Sequence, residues 1–312
     1  MRAVVVDGYG ATPQVREVPE PVPAPGEIKV RVRASSVNGF DVGLAAGALK
    51  GRYEHRFPVI LGKDFAGTVE AVGVGVSDYS AGDEVFGVVT KAVITDGGGF
   101  GEYLTNAAGS GIARIPAGLD HPTAGLLGLA GAAAIRSVEA IGPASGQTVL
   151  VSGATGGVGG YVMQLAAASG ATVIATATPG VEADHVRALG AHHVVDYHRD
   201  LADQVRRIAP AGVDAVVHLA GDGLALATLL TDGGRIASTR HLVDPGQLAD
   251  RNVTVTAVMA NPDQDLLARL AAAAVAGQLR TPVARTYRLD EIPTALSDFS
   301  KGTLGKLAVL VS

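Results

Sequence analysis

Residues 149–159 read VLVSGATGGVG, and the fold is decided there. Val149, Leu150 and Val151 form a short apolar run of the kind a buried parallel strand uses. Glycines follow at 153, 156, 157, 159 and 160, and VMQLAAAS after them reads as the opening of a helix. A strand, a turn without side chains and a helix N-terminus bring backbone N–H groups against a diphosphate, whose charge the helix dipole favours. Gly153, Gly156 and Gly159 stand three apart, a variant of the G-x-G-x-x-G spacing.

Working outward, one unit recurs from Thr148 to Thr239 with a period of about two dozen residues. TVLVSG, ATVIATAT, HHVVDY, DAVVHLA and GRIAST read as short buried strands. Helical patterns lie between them at Val158 to Ala168, Glu182 to Leu189, Leu201 to Ala209 and Leu224 to Leu230. Gly170, Gly190 and Gly212 fall at helix C-caps or in the turns after them. This alternation predicts an α/β, doubly wound parallel sheet covered on both faces, with a nucleotide at the carboxyl ends of its strands.

The flanks differ. Pro19, Pro21, Pro23 and Pro25 punctuate an early loop, and EIKVRVRA (27–34) alternates apolar with charged residues as a half-exposed antiparallel strand does. FAGTVEAVG and DEVFGVV continue in short strands, which predicts a separate β-rich domain. The tail from residue 284 returns to strand, helix and strand and rejoins that domain. The division expected is 1–118 plus 277–312 for the β-rich domain and 119–276 for the nucleotide domain.

The 312 residues are 47% hydrophobic and 18% charged, which is globular composition, and 42 glycines against 4% aromatics favour tight turns over aromatic packing. A net charge of −5 without a basic run argues against nucleic acid or an anionic membrane as partner. Apolar segments such as Ala271 to Ala276 are too short to span a bilayer. MRAVVVDG moves straight into strand-like sequence, so a cytoplasmic protein is expected. The chain has no cysteine, which excludes disulfides, a thiol nucleophile, thiolate-bound zinc and iron–sulfur clusters. The histidines lack metal-ligand spacing: His192 and His193 are adjacent, on opposite faces of a strand, and His198 falls in a loop.

Several motifs in order, PVPAPGEIKVRVRASSVNGFD, FPVILGKDFAGTVEAVG, AGDEVFG, GGGFGEYL, VLVSGATGGVG, LGAHHVVDY and GKLAVLV, resemble the medium-chain dehydrogenase/reductase superfamily. Within it the chain is similar to the zinc-free, quinone-oxidoreductase-like branch. The resemblance covers essentially the whole chain and implies a Rossmann domain inserted into a GroES-like catalytic domain. Zinc-dependent relatives carry a cysteine ligand where Asn38 stands, and a Gly-His-Glu motif where this chain has Gly62-Lys63-Asp64. A lysine ammonium has no lone pair for a cation, so no metal is expected. Without a Lewis acid, hydride addition is easier to a conjugated system, where charge delocalises. The resemblance thus implies a zinc-independent, NADPH-dependent oxidoreductase acting on a quinone or an α,β-unsaturated carbonyl compound. Two alternatives stay open: an enoyl-thioester reductase of lipid or polyketide synthesis, and a catalytically weak NADPH-binding structural or regulatory protein.

By the same resemblance Gly153, Ala154, Thr155, Gly156, Gly157, Val158 and Gly159 form the diphosphate loop. The second repeat strand ends at Ala177-Thr178-Pro179 without the acidic residue that binds ribose hydroxyls in NAD-specific domains. NADPH is therefore the expected cofactor, with NADH not excluded; Thr176 and Thr178 are placed to hydrogen-bond the 2′-phosphate, and Tyr197 matches a tyrosine near it. Where relatives carry a lysine for that phosphate, register places Glu182, with Arg187 and Arg199 as substitutes. Asn38 matches an asparagine beside the nicotinamide, whose amide can donate to a substrate carbonyl or hold the cofactor ribose, and Asp41 braces its turn. Tyr53 is the candidate proton donor, with His55 in reserve, because a tyrosine of some relatives is Gly43 here. Ala133 replaces a threonine near the cofactor. Lys50, Arg52, His55 and Arg56 form either a solvated rim or a seat for thioester phosphates. NVTVTAVM (252–259) is an edge strand expected to pair across a two-fold axis in a homodimer.

Overall fold

The alternation of strands and helices between 148 and 239 builds five strands of a six-stranded sheet, which the strand at 254–257 completes, and the β-rich flanks build a unit of their own. The computed structural model describes residues 1–91, 93–95, 97–240, 246 and 251–311. In chain order these form β1 (Arg2–Val6), β2 (Gln14–Glu17), β3 (Glu27–Val37), α1 (Gly39–Ala45), β4 (Glu54–His55), β5 (Val59–Ile60), β6 (Asp64–Val72) and β7 (Glu84–Val88). Next come β8 (Val93–Ile94), β9 (Tyr103–Ala107), β10 (Ile112–Arg114), α2 (His121–Ile141), β11 (Thr148–Ser152), α3 (Gly157–Ala168), β12 (Thr172–Thr176), α4 (Val181–Ala188) and β13 (His193–Val195). The chain continues through α5 (Leu201–Ile208), β14 (Val213–His218), α6 (Gly223–Ala227), β15 (Leu230–Ser238), β16 (Thr254–Ala257) and α7 (Gln264–Val275). It closes with β17 (Val283–Arg288), α8 (Ile292–Ser300) and β18 (Lys306–Leu310).

Two compact units result. Met1–Ala132, Asn261–Gly277 and Val283–Ser312 make the first, and Ala133–Ala260 with Gln278–Pro282 the second. The opening of α2 and all of α7 thus belong to the first unit, where the sequence division at 118/119 and 276/277 put them with the nucleotide domain. Glycines explain the difference. A Cβ on Gly125 would lie 3.2 Å from that of Ala34, one on Gly128 2.6 Å from Asp64 Oδ1, and one on Gly131 2.8 Å from Leu270 Cδ1. Spaced three apart, they give α2 a bare face on which the first unit packs closely.

In the first unit the main sheet runs β10-β7-β6-β3-β18-β17, with β9 also on β3, and a smaller sheet runs β2-β1-β5. β18 pairs antiparallel with β3, Leu307 opposite Val37 and Val309 opposite Ser35, so the tail does rejoin the β-rich unit. Along β3 burial alternates from Glu27 to Arg33 and then becomes continuous from Ala34 to Val37. Phe65, Phe100, Leu104 and Ile112 lie in its core, each worth about 1.5–3 kcal/mol of apolar burial.

The second unit holds the parallel sheet, in the order β13-β12-β11-β14-β15-β16. Ranked by chain order this is the 3-2-1-4-5-6 arrangement of dinucleotide-binding sheets, with its switch point between β11 and β14. Leu150 of β11 stands opposite Ile174 of β12 and Val216 of β14, so the apolar run read at 149–151 is the sheet's centre. β16 lies at one edge. Among the described helices α2 alone is long and apolar enough to cross a membrane, and 72% of its apolar window is buried inside the fold.

Candidate functional site

In the second unit the loop after β11 does what its glycines permit. Gly153 has φ +74, a conformation that disfavours side chains, and its N–H donates to Thr176 Oγ1 at 3.1 Å. A Cβ on Gly159 would sit 2.3 Å from the Gly153 carbonyl oxygen, so only glycine lets α3 start this close to the strand. Gly156 is the N-cap of α3, and no side chain caps it. The first-turn N–H groups of this twelve-residue helix stay available to an anion at the carboxyl end of β11. The loop therefore fits a dinucleotide diphosphate. His185 of α4 reaches the Thr155 backbone; burial pushes its imidazole below the usual range, and that contact opposes the shift.

Beside the loop, the structure parts the residues expected at a 2′-phosphate. Thr176 is buried and turned to Gly153 and the Val151 carbonyl. Thr178 and Tyr197 meet on Glu182 instead: the Thr178 N–H donates to Glu182 Oε2 at 2.7 Å, and the Tyr197 O–H to Glu182 Oε1 at 3.2 Å. Arg187 pairs with Asp184 at 3.4 Å and Arg199 with Asp196 at 3.3 Å. Across the switch point, buried His218 at the end of β14 bonds Ser238 Oγ at 3.0 Å and the Gly221 carbonyl at 3.1 Å, bracing the next loop.

The first unit holds a second cluster. Asn38 is the N-cap of α1, and Asp41 Oδ2 accepts its N–H at 2.8 Å. The Asn38 amide is fully engaged: Nδ2 donates to Asp64 Oδ2 at 2.8 Å and to the Ser36 carbonyl at 3.2 Å, while Oδ1 accepts from Lys306 Nζ at 2.7 Å. Ser36 Oγ at 2.5 Å and the Leu129 N–H at 2.7 Å complete the shell of Asp64. This network is buried and satisfied, so Asn38 has no amide hydrogen left for a substrate carbonyl.

Asp41 and Lys63 are not satisfied in this way. Asp41 is buried, and its Oδ1 has no hydrogen-bond partner among the described residues. Burial is the main reason its carboxyl is pushed up to about 7. Lys63 Nζ donates to the Val89 carbonyl and lies 4.9 Å from the centroid of the Phe40 ring. Burial pushes its ammonium below the usual range, and the charges of Asp41 and Asp64 oppose this. Its backbone is pinned by Gly62 (φ +102), where a Cβ would come within 2.4 Å of Phe100 N. Phe40, Asp41, Lys63 and Lys91 line a small pocket, walled by Leu44, Ile60, Val89, Val93 and Ile94. Lys91 is held by Thr105 Oγ1 at 2.7 Å.

Tyr53 lies outside that lining. It is 38% exposed, and its ring meets Phe40 edge-on at 5.8 Å. His55 Nδ1 bonds the Tyr53 carbonyl at 2.8 Å and the Tyr9 hydroxyl at 3.2 Å. Arg56 pairs with Glu54 and Lys50 lies over the Tyr9 ring, so the basic loop is partly neutralised. Sequence reasoning set Lys63 beside Asp64 at the floor of a cleft without giving it a chemical role, and did not single out Lys306. The signal for Lys63 was in plain sight, a cation where zinc-binding relatives place a ligand; for Lys306 there was none.

Comparison with known proteins agrees with the two-part fold. Residues 24–117 match the family model described as alcohol dehydrogenase GroES-like domain, and residues 189–309 the one described as zinc-binding dehydrogenase. The chain is 34% identical over 293 residues to phthioceranic/hydroxyphthioceranic acid synthase of Mycobacterium tuberculosis, covering 88% of this chain and 13% of that much longer protein. It is 29% identical over 330 residues to quinone oxidoreductase of Lama guanicoe, covering 100% of this chain and 98% of the relative. The solved quinone oxidoreductase from Coxiella burnetii superposes with a TM-score of 0.89 at 26% identity, over 100% of this chain and 99% of that one.

Proposed function

The chain belongs to the medium-chain dehydrogenase/reductase superfamily, in its quinone-oxidoreductase-like branch, and on that premise we propose that it is a zinc-independent reductase. Its cofactor in this reading is a nicotinamide dinucleotide, and its substrates are quinones or α,β-unsaturated carbonyl compounds. The observation that carries the reading is the uncapped N-terminus of α3 at the switch point of a 3-2-1-4-5-6 sheet. When bound, the reduced nicotinamide supplies hydride to the electron-poor carbon of the substrate.

The first unit supports the other half of the chemistry. Lys63 keeps two ammonium hydrogens beyond the one on Val89, next to a pocket with apolar walls. In this reading they meet the substrate oxygen and stabilise the charge that develops there, a task for which relatives use zinc. An ammonium whose proton is loosened by burial is also a better acid for completing the reduction. Asn38 acts as a positioning residue, tying α1 to Asp64 and Lys306, and Tyr53 shapes the rim through Phe40.

Loss of absorbance at 340 nm tests this, with NADH and NADPH separately, against a quinone, a small enone and an enoyl thioester, each with a chelator present. Turnover of one acceptor, indifferent to chelator, supports the proposal. Dinucleotide binding without turnover of any acceptor would favour a binding protein. The likeness to a mycobacterial acid synthase favours the enoyl thioester as second reading, and saturation by a crotonyl thioester but not by a quinone would establish it. A homodimer through β16 belongs to the same proposal, since that strand leaves one edge of the sheet unpaired among the described residues.

A further inference from the structure

We propose that the chain selects NADH over NADPH, and that Glu182 makes the choice by holding the ground a 2′-phosphate would need. The inference rests on the dinucleotide reading above and goes beyond it. In a sheet of this order the adenine-side ribose comes to the carboxyl end of the strand beside the glycine-rich loop, here β12. A carboxylate there accepts both ribose hydroxyls and repels a phosphate. β12 itself ends without one, which is why its sequence reads as permissive. Glu182, from the first turn of α4, brings its carboxylate back to that strand end through the Thr178 N–H at 2.7 Å.

Three further observations point the same way. The donors a phosphate would use, the Thr178 N–H and the Tyr197 hydroxyl, already face the Glu182 carboxylate. Thr176, the other hydroxyl nearby, is buried against the Gly153 loop. The two arginines expected as substitutes for a phosphate-binding lysine are themselves paired, Arg187 with Asp184 and Arg199 with Asp196. The chain's six lysines, at 29, 50, 63, 91, 301 and 306, all fall outside residues 133–260 and 278–282. Seating NADPH would bring a phosphate beside a carboxylate, with both oxygens of that carboxylate already holding the local donors.

Calorimetric titration of the full chain with NADH, NADPH, ADP and 2′,5′-ADP tests this without turnover. The wild type is expected to bind NADH about tenfold or more tighter than NADPH, and ADP tighter than 2′,5′-ADP. Glu182→Lys should invert both ratios. Glu182→Gln keeps an acceptor for the Thr178 N–H and should bring them toward one, so a misfolded lysine variant does not end the test. A wild-type ratio near one or favouring NADPH would overturn the proposal, as would ratios unmoved in Glu182→Gln. If neither dinucleotide binds at all, the dinucleotide reading itself fails, a result distinct from binding both alike.

Discussion

Lys306 Nζ donates to Asn38 Oδ1 at 2.7 Å and stands 3.7 Å from Asp64 Oδ2, joining residues 268 and 242 positions apart in a buried core. The contact fastens β18 to the turn that starts α1 and to the first residue of β6. Removing only the cation leaves Asp64 charged and buried without its counter-ion. Lys306→Met should therefore lower stability by about 3–5 kcal/mol, read as a fall in the urea midpoint. Lys306→Met with Asp64→Asn should recover part of that loss; a double variant no more stable than the single one would argue against the pairing.

Asp41 gives stability a pH dependence. Its carboxyl titrates near 7 in the folded chain and at about 3.9 when unfolded, so the folded state holds the proton over that window. The stability it contributes is complete below about pH 4 and is lost as pH rises to about 7. Asp41→Asn keeps an acceptor for the Asn38 N–H and cannot ionise. The melting temperature of the wild type minus that of Asp41→Asn should fall across this window and level off above it. A constant difference would show that Asp41 ionises in the folded chain as it does in the unfolded one.

Two glycines of the loop should respond differently to one methyl group. On Gly159 a Cβ meets backbone at 2.3 Å, so Gly159→Ala should destabilise the fold by about 1–3 kcal/mol. On Gly156 a Cβ meets nothing nearer than 3.7 Å, and φ is −77. Gly156→Ala should melt like the wild type yet bind dinucleotide roughly tenfold more weakly, because it adds a methyl at the N-cap of α3, where the diphosphate is proposed to sit. Unchanged binding in a well-folded Gly156→Ala protein would move the diphosphate away from α3.

Lys63 and Tyr53 can be told apart kinetically. Lys63→Met keeps the bulk over Phe40 and removes the ammonium; kcat should fall roughly 10²-fold while dinucleotide affinity, measured by titration, stays unchanged. Tyr53→Phe should stay within about threefold of the wild type. The reverse pattern would return the proton-donor role to the phenol.

Much of this was legible in sequence because it is local. The run 149–151, the glycines after it and the strand–helix period report backbone choices made within a few residues, and a doubly wound parallel sheet follows from them; its 3-2-1-4-5-6 order is read from the fold. Asn38 and Lys63 could be picked out as positions, since a missing cysteine and a missing histidine are visible in one dimension. What surrounds them was not. The amide of Asn38 is occupied by Asp64 and by Lys306, which no spacing rule connects, and Asp41 Oδ1 lacks a partner only because other chain segments cover it.

Glu182 draws the line most clearly. By itself the sequence determined two architectures, a dinucleotide loop and a vacant-looking end to β12, because periodicity and glycine placement are properties of neighbouring residues. Register already set Glu182 against the lysine of relatives, and tertiary structure decided that its carboxylate returns to the end of β12. The turn at Gly180 (φ +96) and the opening of α4 fold Glu182 back onto Thr178, and the loop after β13 brings Tyr197 to its other oxygen. Charge acts through space, over a few ångströms, and only the folded chain says which charges share them.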